Sequence, residues 1–451
     1  MPAFFIGTGR LIQSRTTLKP SGQNSHMTKQ TIQVAINGTG FAADYTAKTY
    51  GMIPHRNGVD IELAGVVSGR RENAEKFAAS HNVSAIFESH AEMLAVVRPT
   101  IDNICCANFA HGPYTMEAAQ ASVPVIVLEK PPVIWPGYAE GRTAAAAQKK
   151  CESMDYLTEV FDVVRDAGSK LLYAEDFVYF DGMKGIVELL TEAQKTGKGK
   201  VLYQRGVCAH QGSHAPAYDT PEKSGGGALF NKACHPLGPA LFLKQVEGVL
   251  ANGKPIRPVS VSAAALQVLK HQPEGTGEFF RVMQNVDDFG RLTVVFEDQT
   301  IAEVIGHDLS ISGIRNEFSV ITDFAQYDLR VNPNNENELF MPQSEHAGNL
   351  LVREKLPTVQ GTSFPRPNQF YSHGYVSEMN DAVACALNEN QYPQSGALMA
   401  WDTMTILMAG YESSEQAGAA VDITEFTTNG RQFEDREIPN PALFGSVFQR
   451  A

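Results

Sequence analysis

The sequence predicts an α/β protein with two domains. The first is a doubly wound parallel sheet, because apolar strand-like runs alternate with helical patterns between residues 30 and 160. The second is an α/β domain with an open, mostly antiparallel sheet, because long strand-like runs joined by short turns dominate the later sequence. The length of 451 residues supports this division, since a single core of ordinary size serves a shorter chain.

The expected boundaries place the first domain at 30–160 and the second at 161–451. Residues 1–29 are expected to form a disordered arm or an added leader, because their apolar start is too short for a signal-peptide core. Residues 332–393 are rich in Pro, Asn, Gln and Ser, which predicts long insertions at the surface. An open sheet in the second domain favours a homodimer or homotetramer.

Composition excludes several classes of partner. The net charge of -13 argues against nucleic acid, because a phosphate backbone attracts a basic surface. No run of about 18 apolar residues is present, so no membrane span is expected. The six cysteines are scattered and form no C-x-x-C pair, which indicates reduced thiols and a cytoplasmic protein.

A glycine-rich turn joins the first strand to the first helix. The apolar strand at 32–36 is followed by Gly38, Gly40 and Ala43 in the spacing G-x-G-x-x-A. The first glycine permits the bend, the second lets the backbone approach a pyrophosphate, and the small third residue lets the helix pack on the strand. This context predicts a dinucleotide-binding Rossmann domain, with a tight turn that binds nothing as the alternative. The residues predicted to contact the cofactor here are Gly38, Thr39, Gly40, Phe41 and Ala42.

The end of the second strand bears on the choice of cofactor. A carboxylate at this place binds the ribose hydroxyls of NAD, but the chain has Ser68, Arg70 and Arg71 instead. A hydroxyl and two guanidiniums favour the 2′-phosphate of NADP(H). NAD is the alternative cofactor, because Arg also stacks on adenine, and without a ligand the two arginines are solvated residues at a helix start.

The next two strands end in further polar side chains. Asn108 and His111 follow one strand, and Glu129 and Lys130 end the next. Ligands bind at the carboxyl ends of the strands in such sheets, so all four are predicted to lie near the cofactor. The alternatives are a turn former for Asn108, a core or capping residue for His111, and a surface lysine for Lys130.

Five stretches in order make the chain resemble the Gfo/Idh/MocA family of sugar and cyclitol dehydrogenases. They are NGTGFAADY at 37–45, NFAH at 108–111, EKPP at 129–132, SGGGALFNKACHPLG at 224–238 and GYESSEQAG at 410–418. The resemblance implies hydride transfer between NAD or NADP and a hydroxyl carbon of a sugar, glycoside or cyclitol. It also implies that the second domain binds this carbohydrate and that the three glycines bring their helix against the nicotinamide.

The resemblance implies two catalytic residues. The family's EKP lysine is Lys130, which we expect to orient the reacting hydroxyl, with its pKa lowered by partial burial. The family's second motif commonly reads D-x-G-x-H-x-x-D, which places the general acid/base at His235. The two Asp positions are Asn231 and Gly238 here. His235 therefore acts alone, borrows another partner or has a different role, because a nearby carboxylate normally orients the imidazole.

Four further residues are candidates for substrate binding, and no metal is expected. His210 and His214 lie close in sequence and could line the same pocket, although a loop role is equally open. Asn231 replaces the family's first Asp, and Tyr179 is either a substrate contact or a core aromatic. No third ligand is spaced with the two histidines, so the sequence gives no metal site.

Three functions remain open at this point. The chain is a dehydrogenase that releases reduced cofactor, or an enzyme that retains its cofactor and cycles through a keto-sugar. That second reading covers sugar–sugar oxidoreduction and glycoside cleavage after oxidation at carbon 3. A non-catalytic dinucleotide-binding protein is the alternative from another class, because Gly238 and Asn231 depart from the family pattern.

Overall fold

The computed structural model describes residues 30–53, 58–212, 216–271, 282–311, 314–332, 336–341, 361–363 and 374–433. The expected arm at 1–29, most of the expected insertions after residue 332, and His214 lie outside the described residues.

The first sheet has six strands, and every described pair is parallel. Its order is β3-β2-β1-β4-β5-β6. The strands are β1 (Gln30–Asn37), β2 (Val59–Val67), β3 (Ile86–Phe87), β4 (Ile101–Ile104), β5 (Val125–Glu129) and β6 (Lys170–Ala174). The helices between them are α1 (Phe41–Tyr50), α2 (Arg71–His81), α3 (His90–Val97), α4 (His111–Gln120) and α5 (Ala146–Ala167). The predicted doubly wound sheet is confirmed, and its strand order reverses between β1 and β4, where such sheets bind ligands.

The first sheet extends past the expected boundary at residue 160. That position falls inside α5, and β6 beyond it pairs with β5 over five residue pairs, Val125 to Glu129 with Lys170 to Ala174. We therefore place the domain boundary after β6. Although β6 is the last strand in the sheet order, it is buried on both faces, which makes it part of the core of the first domain.

The second domain contains a sheet of nine strands in the order β14-β13-β12-β11-β7-β10-β9-β8-β15. β7 and β10 are parallel, and every other described pair in this sheet is antiparallel. The strands are β7 (Val201–Ala209), β8 (Pro258–Leu266), β9 (Phe289–Phe296), β10 (Ile301–His307), β11 (Arg315–Thr322), β12 (Gln326–Asn332), β13 (Glu336–Met341), β14 (Gly361–Ser363) and β15 (Val421–Asp422). The predicted open, mostly antiparallel sheet is confirmed.

The remaining helices pack the second sheet and link it to the first. They are α6 (Asp181–Gln194), α7 (Pro221–Ser224), α8 (Ala228–Asn231), α9 (Cys234–Asn252), α10 (Tyr375–Leu387), α11 (Ala397–Glu415) and α12 (Thr424–Asn429). Strand β10 alternates between buried and half-buried positions, which is typical of a sheet with one covered face. Helix α9 is buried around nearly its whole circumference, because it lies between that face and the segment that follows β6.

Helix α10 returns to the first domain late in the chain. Its buried residues Met379, Ala382 and Val383 share a core with Ile32 and Val34 of β1. The first domain is therefore completed by a segment that the sequence order assigns to the second. Among the helices that the structure describes, none has both the length and the apolar character needed to cross a bilayer.

Candidate active site

The turn between β1 and α1 leaves open space in front of the helix. Gly38 has φ +118°, and a Cβ there would lie 2.4 Å from the carbonyl oxygen of Cys105, so no other residue fits. Gly40 precedes α1, and a Cβ built on it would meet no atom within 4 Å, so the space before the helix is open. Ala43 is completely buried against the sheet. The N-terminal N–H groups of α1 thus face open space, which is the arrangement that binds phosphate.

The other residues predicted for this end of the cofactor lie around the same opening. The hydroxyls of Thr39 and Ser68 are 3.0 Å apart and link the ends of β1 and β2. Phe41 is 70% exposed at the start of α1. Arg70 precedes α2 and is exposed. The Arg71 guanidinium already pairs with two carboxylates, Glu75 and Glu88.

Asn108 and Asn231 join the two domains beside Lys130. The Asn108 side-chain amide donates to Oδ1 of Asn231 at 3.1 Å and to the carbonyl oxygen of Ser224 at 2.9 Å. The Asn231 amide donates to the carbonyl oxygen of Gly226 at 2.7 Å. An Asp at position 231 would place a second acceptor there, so the amide explains this departure from the family pattern.

Lys130 is held against the same turn. Its Nζ donates to the backbone carbonyl of Asn231 at 3.3 Å. Burial lowers the pKa of the ammonium, but Cys234, Tyr218, Glu129 and Glu175 outweigh that effect, and the pKa lies above its ordinary value. The expectation of a lowered pKa is therefore wrong, because it rests on burial alone and omits the acidic groups around Lys130. Lys130 is a cation at neutral pH.

His111 braces the chain after Lys130 and is 1% exposed. Its Nδ1 lies 2.7 Å from the carbonyl oxygen of Pro131, and its Nε2 lies 3.2 Å from that of Cys106. Burial lowers the pKa of His111, which keeps the ring neutral. Both ring nitrogens face backbone, so the geometry favours the core role over direct contact with a nicotinamide.

His235 has a carboxylate partner that the sequence did not reveal. Its Nδ1 lies 3.0 Å from Oε1 of Glu175, a residue that follows β6 and has a completely buried side chain. The ring also stacks on Phe177, with centroids 5.0 Å apart. Burial, together with the positive charges of Lys130 and the neighbouring His210 and Lys232, lowers the pKa of His235 well below its ordinary value. The imidazole is therefore neutral at neutral pH and fixed in orientation.

A second carboxylate, Asp176, lies on the same side of the ring. Its Oδ1 is 3.5 Å from Nδ1 of His235. Burial and the nearby Glu129 raise the pKa of Asp176 to about 7, although Lys130 and a hydrogen bond from Tyr375 oppose the rise. Asp176 thus changes charge near neutral pH beside the candidate base.

The site collects several buried acids around one lysine. Burial is the largest cause of a raised pKa for Glu129, Glu175 and Glu378 as well as for Asp176. One oxygen of Glu175, Oε2, and one of Glu378, Oε1, have no hydrogen-bond partner within the described residues. Groups with displaced pKa values at the meeting point of two domains are typical of a catalytic centre.

Glu175, Cys234 and His235 also offer ligand atoms that lie within 4.8 Å of one another. This grouping arises from residues 59 apart in sequence, so spacing alone could not suggest it. Burial raises the pKa of the Cys234 thiol, and His235 Nδ1 is already hydrogen-bonded to Glu175. Both features favour a hydrogen-bonded His–Glu pair over metal ligation at neutral pH.

Tyr179 and His210, both predicted to bind substrate, differ from each other in their surroundings. Tyr179 is completely buried, and its hydroxyl donates to Asp381 at 2.9 Å and accepts from the backbone N–H of Ser395. It has the core role that the sequence left open. His210 follows β7, and its charge acts on the pKa of His235, which keeps it a candidate.

The three glycines before α8 fit against the second domain. A Cβ on Gly226 would lie 2.3 Å from the Tyr411 hydroxyl, and one on Gly227 would lie 2.0 Å from the carbonyl oxygen of Asp287. The backbone N–H of Leu229 also donates to the Asp287 carboxylate at 2.6 Å. The glycines therefore permit close packing within the domain, and this packing fixes the turn that carries Asn231 and His235.

The fold and these contacts define a two-domain protein with a dinucleotide-binding Rossmann domain and a polar site between the domains. Residues 32–156 match the oxidoreductase family with an NAD-binding Rossmann fold, GFO_IDH_MocA. This match covers most of the first domain and includes three of the five stretches on which the family resemblance rests, those at 37–45, 108–111 and 129–132.

One curated relative is the D-glucoside 3-dehydrogenase of Escherichia coli strain K12. It is 27% identical over 222 residues, which are 49% of this chain. The alignment spans 56% of the relative's own length.

Solved structures share the fold over most of this chain. A levoglucosan dehydrogenase in complex with NADH and L-sorbose has a TM-score of 0.66 at 16% identity and covers 87% of this chain and 99% of its own. The aldose-aldose oxidoreductase of Caulobacter crescentus, complexed with glycerol, has a TM-score of 0.62 at 15% identity and covers 87% and 100%. At these identities the likeness concerns the fold.

Proposed function

We propose that this protein is an NAD(H)-dependent dehydrogenase that oxidises a secondary hydroxyl of a sugar or glycoside. The observation that carries the proposal is the His235–Glu175 pair next to the Lys130 ammonium, at the carboxyl edge of a Rossmann sheet with an open phosphate turn. The curated D-glucoside 3-dehydrogenase supports a glycoside as the substrate class.

The open space at Gly40 and the exposed first turn of α1 fit the pyrophosphate of a dinucleotide. When bound, the nicotinamide supplies the hydride acceptor of the reaction. The proposed residues around the cofactor are Gly38, Thr39, Gly40, Phe41, Ala42, Ser68 and Arg70. Arg71 is already neutralised by two carboxylates, which favours NAD over NADP.

The chain's own residues then handle the proton of the hydroxyl. Lys130 donates a hydrogen bond to the hydroxyl oxygen and stabilises the negative charge that develops there. The competent form of His235 donates its Nδ1–H to Glu175 and leaves Nε2 unprotonated. Nε2 accepts the hydroxyl proton during oxidation and returns it during reduction. In its ionised form Glu175 stabilises the imidazolium that forms, as a carboxylate does in other catalytic pairs.

Steady-state kinetics with purified protein test this proposal. Methyl glucosides, free sugars and cyclitols are offered with NAD+ or NADP+, and formation of reduced cofactor is followed by absorbance. Lys130→Met and His235→Ala are each expected to lower kcat by about 10²–10⁴ with little change in cofactor affinity. Lys76→Met is the control for loss of a lysine, because the Lys76 side chain is 72% exposed on α2.

The same measurements separate the rival functions. Nicotinamide absorbance in the protein as purified, with turnover only when a second sugar is present, indicates a retained cofactor. Absence of both dinucleotide binding and turnover contradicts the proposal and leaves a non-catalytic protein. Near-normal turnover of His235→Ala moves the acid/base role away from this residue.

A further inference from the structure

We propose that Lys232 and Asp308 form a subsite that binds one hydroxyl of the sugar next to the reacting centre. The inference rests on the proposed function, since it concerns the substrate of the same site. Lys232 lies between α8 and α9, three residues before His235, and Asp308 directly follows β10.

The packing of β10 under the α8–α9 turn brings these two residues together. A Cβ on Gly306 of β10 would lie 2.3 Å from the backbone nitrogen of Ala233 and 2.8 Å from Cβ of Lys232. Gly306 therefore lets β10 contact the α8–α9 turn, and this contact brings Asp308 close to Lys232. The contact is built into the fold, because Gly227 and Leu229 on the same turn are fixed by Asp287.

The two charged groups are close, but no direct hydrogen bond joins the Lys232 ammonium to Oδ1 of Asp308. Lys232 Nζ is 4.0 Å from Asp308 Oδ1, which is too long for a direct hydrogen bond. The side chains are only 7% and 3% exposed, and Oδ1 has no hydrogen-bond partner within the described residues. A buried carboxylate oxygen without a donor is uncommon and calls for an explanation. An oxygen about 2.8 Å from each atom would bridge this gap.

A hydroxyl group matches this pair better than an anion does. A hydroxyl can accept from the ammonium and donate to the carboxylate at once. A substrate carboxylate or phosphate would meet the Lys232 charge but would also be repelled by Asp308. The pair is thus selective for a neutral polyol, which is the chemistry of an unmodified sugar.

Tyr218 connects the subsite to the reacting centre. Lys232 Nζ lies 5.1 Å from the centroid of the Tyr218 ring, and the Tyr218 hydroxyl interacts electrostatically with Lys130. Lys232 also acts on His235 through its charge. A sugar whose reacting hydroxyl lies between Lys130 and His235 would therefore place a neighbouring hydroxyl toward Lys232 and Asp308.

Deletion of substrate hydroxyls tests the inference. The probes are methyl β-D-glucopyranoside and its 2-deoxy, 4-deoxy and 6-deoxy analogues, assayed with the wild type, Lys232→Met and Asp308→Asn. We expect each variant to lower kcat/KM for the parent glucoside about 10- to 100-fold, mainly through KM, because a charge-assisted hydrogen bond is lost. For one deoxy analogue, the wild-type kcat/KM should be lower than that for the parent glucoside by a similar factor. In the two variants, removal of the same hydroxyl should lower kcat/KM little further.

A buried ion pair elsewhere serves as the control. Lys244 is completely buried in the same domain and bonds to Glu247 and Asp298. Lys244→Met should lower thermal stability while leaving the ratio between parent and deoxy analogues unchanged. If Lys232→Met does not fold, Asp308→Asn gives the same comparison with nearly the same volume.

Two outcomes would overturn the inference separately from the proposed function. Equal losses for the parent and for every deoxy analogue would show that the pair is structural only. If the wild type still oxidised the parent glucoside in the same assays, the proposed dehydrogenase function would be unaffected by that result. No turnover of any glycoside, sugar or cyclitol by the wild type would contradict the proposed function itself and the subsite with it.

Discussion

Gly238 leaves the space that the Glu175 side chain fills. A Cβ at position 238 would lie 2.4 Å from Cγ of Glu175, so only glycine permits the observed contact between Glu175 and His235. The family motif places an Asp at this helix position, whereas here a carboxylate reaches the imidazole from the segment after β6. The carboxylate that contacts His235 thus comes from a residue 63 positions before Gly238.

An exchange of the two positions tests this contact. Glu175→Ala should lower kcat about 10- to 100-fold, because the imidazole loses the hydrogen-bond partner that orients it. The Glu175→Ala/Gly238→Asp double variant should recover part of that loss, since the truncated side chain removes the clash. The measurement is kcat together with the acid limb of the pH–rate profile.

Each of the two single variants is compared with the double variant. Gly238→Asp alone should lower activity and thermal stability, because it would force Glu175 away from His235. If Glu175 is ionised in the competent form, its loss should also move the acid limb to lower pH, since a neighbouring carboxylate raises an imidazole pKa. A Glu175→Ala enzyme with unchanged kcat and an unchanged profile would remove Glu175 from the mechanism.

The charge of Lys130 gives a prediction about alkaline pH. Neighbouring acids hold the pKa of Lys130 above its ordinary value despite burial, so the ammonium persists as pH rises. The profile of kcat/KM should therefore show no loss of activity from Lys130 below about pH 10. The measurement is the ratio of kcat/KM for the wild type to kcat/KM for Lys130→Met at each pH between 6 and 10. A ratio that falls toward one near neutral pH would mean that the pKa is lowered after all.

Asp176 should make stability depend on pH. Burial raises its pKa from 3.8 to about 7, so the folded protein favours the neutral carboxyl group. The contribution of this group to the free energy of unfolding is fully present below about pH 4 and is lost as pH rises through about 7. The loss amounts to about 4 kcal/mol at most, at about 1.4 kcal/mol for each pKa unit.

Asp176→Asn removes that dependence. Relative to the wild type, the variant should gain stability between pH 4 and pH 8, measured by urea unfolding at each pH. Asp155→Asn is the control, because Asp155 is exposed on α5, and it should leave the slope unchanged. Parallel curves for the wild type and Asp176→Asn would place the Asp176 pKa near its ordinary value.

Cofactor preference depends on which groups pair with Arg71. Because Glu75 and Glu88 neutralise it, we expect the wild type to bind NAD+ more tightly than NADP+. The Glu75→Gln/Glu88→Gln double variant should free the guanidinium and strengthen NADP+ binding about 10-fold. Titration calorimetry with both cofactors measures this, and Arg71→Ala in the same background should cancel the gain. A wild type that prefers NADP+ and loses that preference in Arg71→Ala would support the interpretation first drawn from the sequence.

The sequence by itself determined the two sheets and the strand ends at which the candidate site lies. Period and composition decide whether a segment forms a strand or a helix, and the turn at Gly38 and Gly40 is local in sequence. Lys130 and His235 could be singled out for the same reason, since each lies in a short motif. The glycine-rich turn after β1 was therefore predictable, whereas the extent of the first sheet was not, because β6 joins that sheet through partners far away in sequence.

Only the tertiary structure decided the partners of those residues. Glu175 meets His235 because α9 packs against the segment that follows β6, and Asp308 meets Lys232 because β10 touches the α8–α9 turn at Gly306. Tyr179 and His111 belong to the core, where the Tyr179 hydroxyl bonds to Asp381 and the His111 ring lies against the carbonyl oxygen of Pro131. Burial depends on all surrounding elements together, and so does the balance of charges that raises the pKa of Lys130 instead of lowering it. No local pattern contains that information, because desolvation and charge interactions act through space and not along the chain.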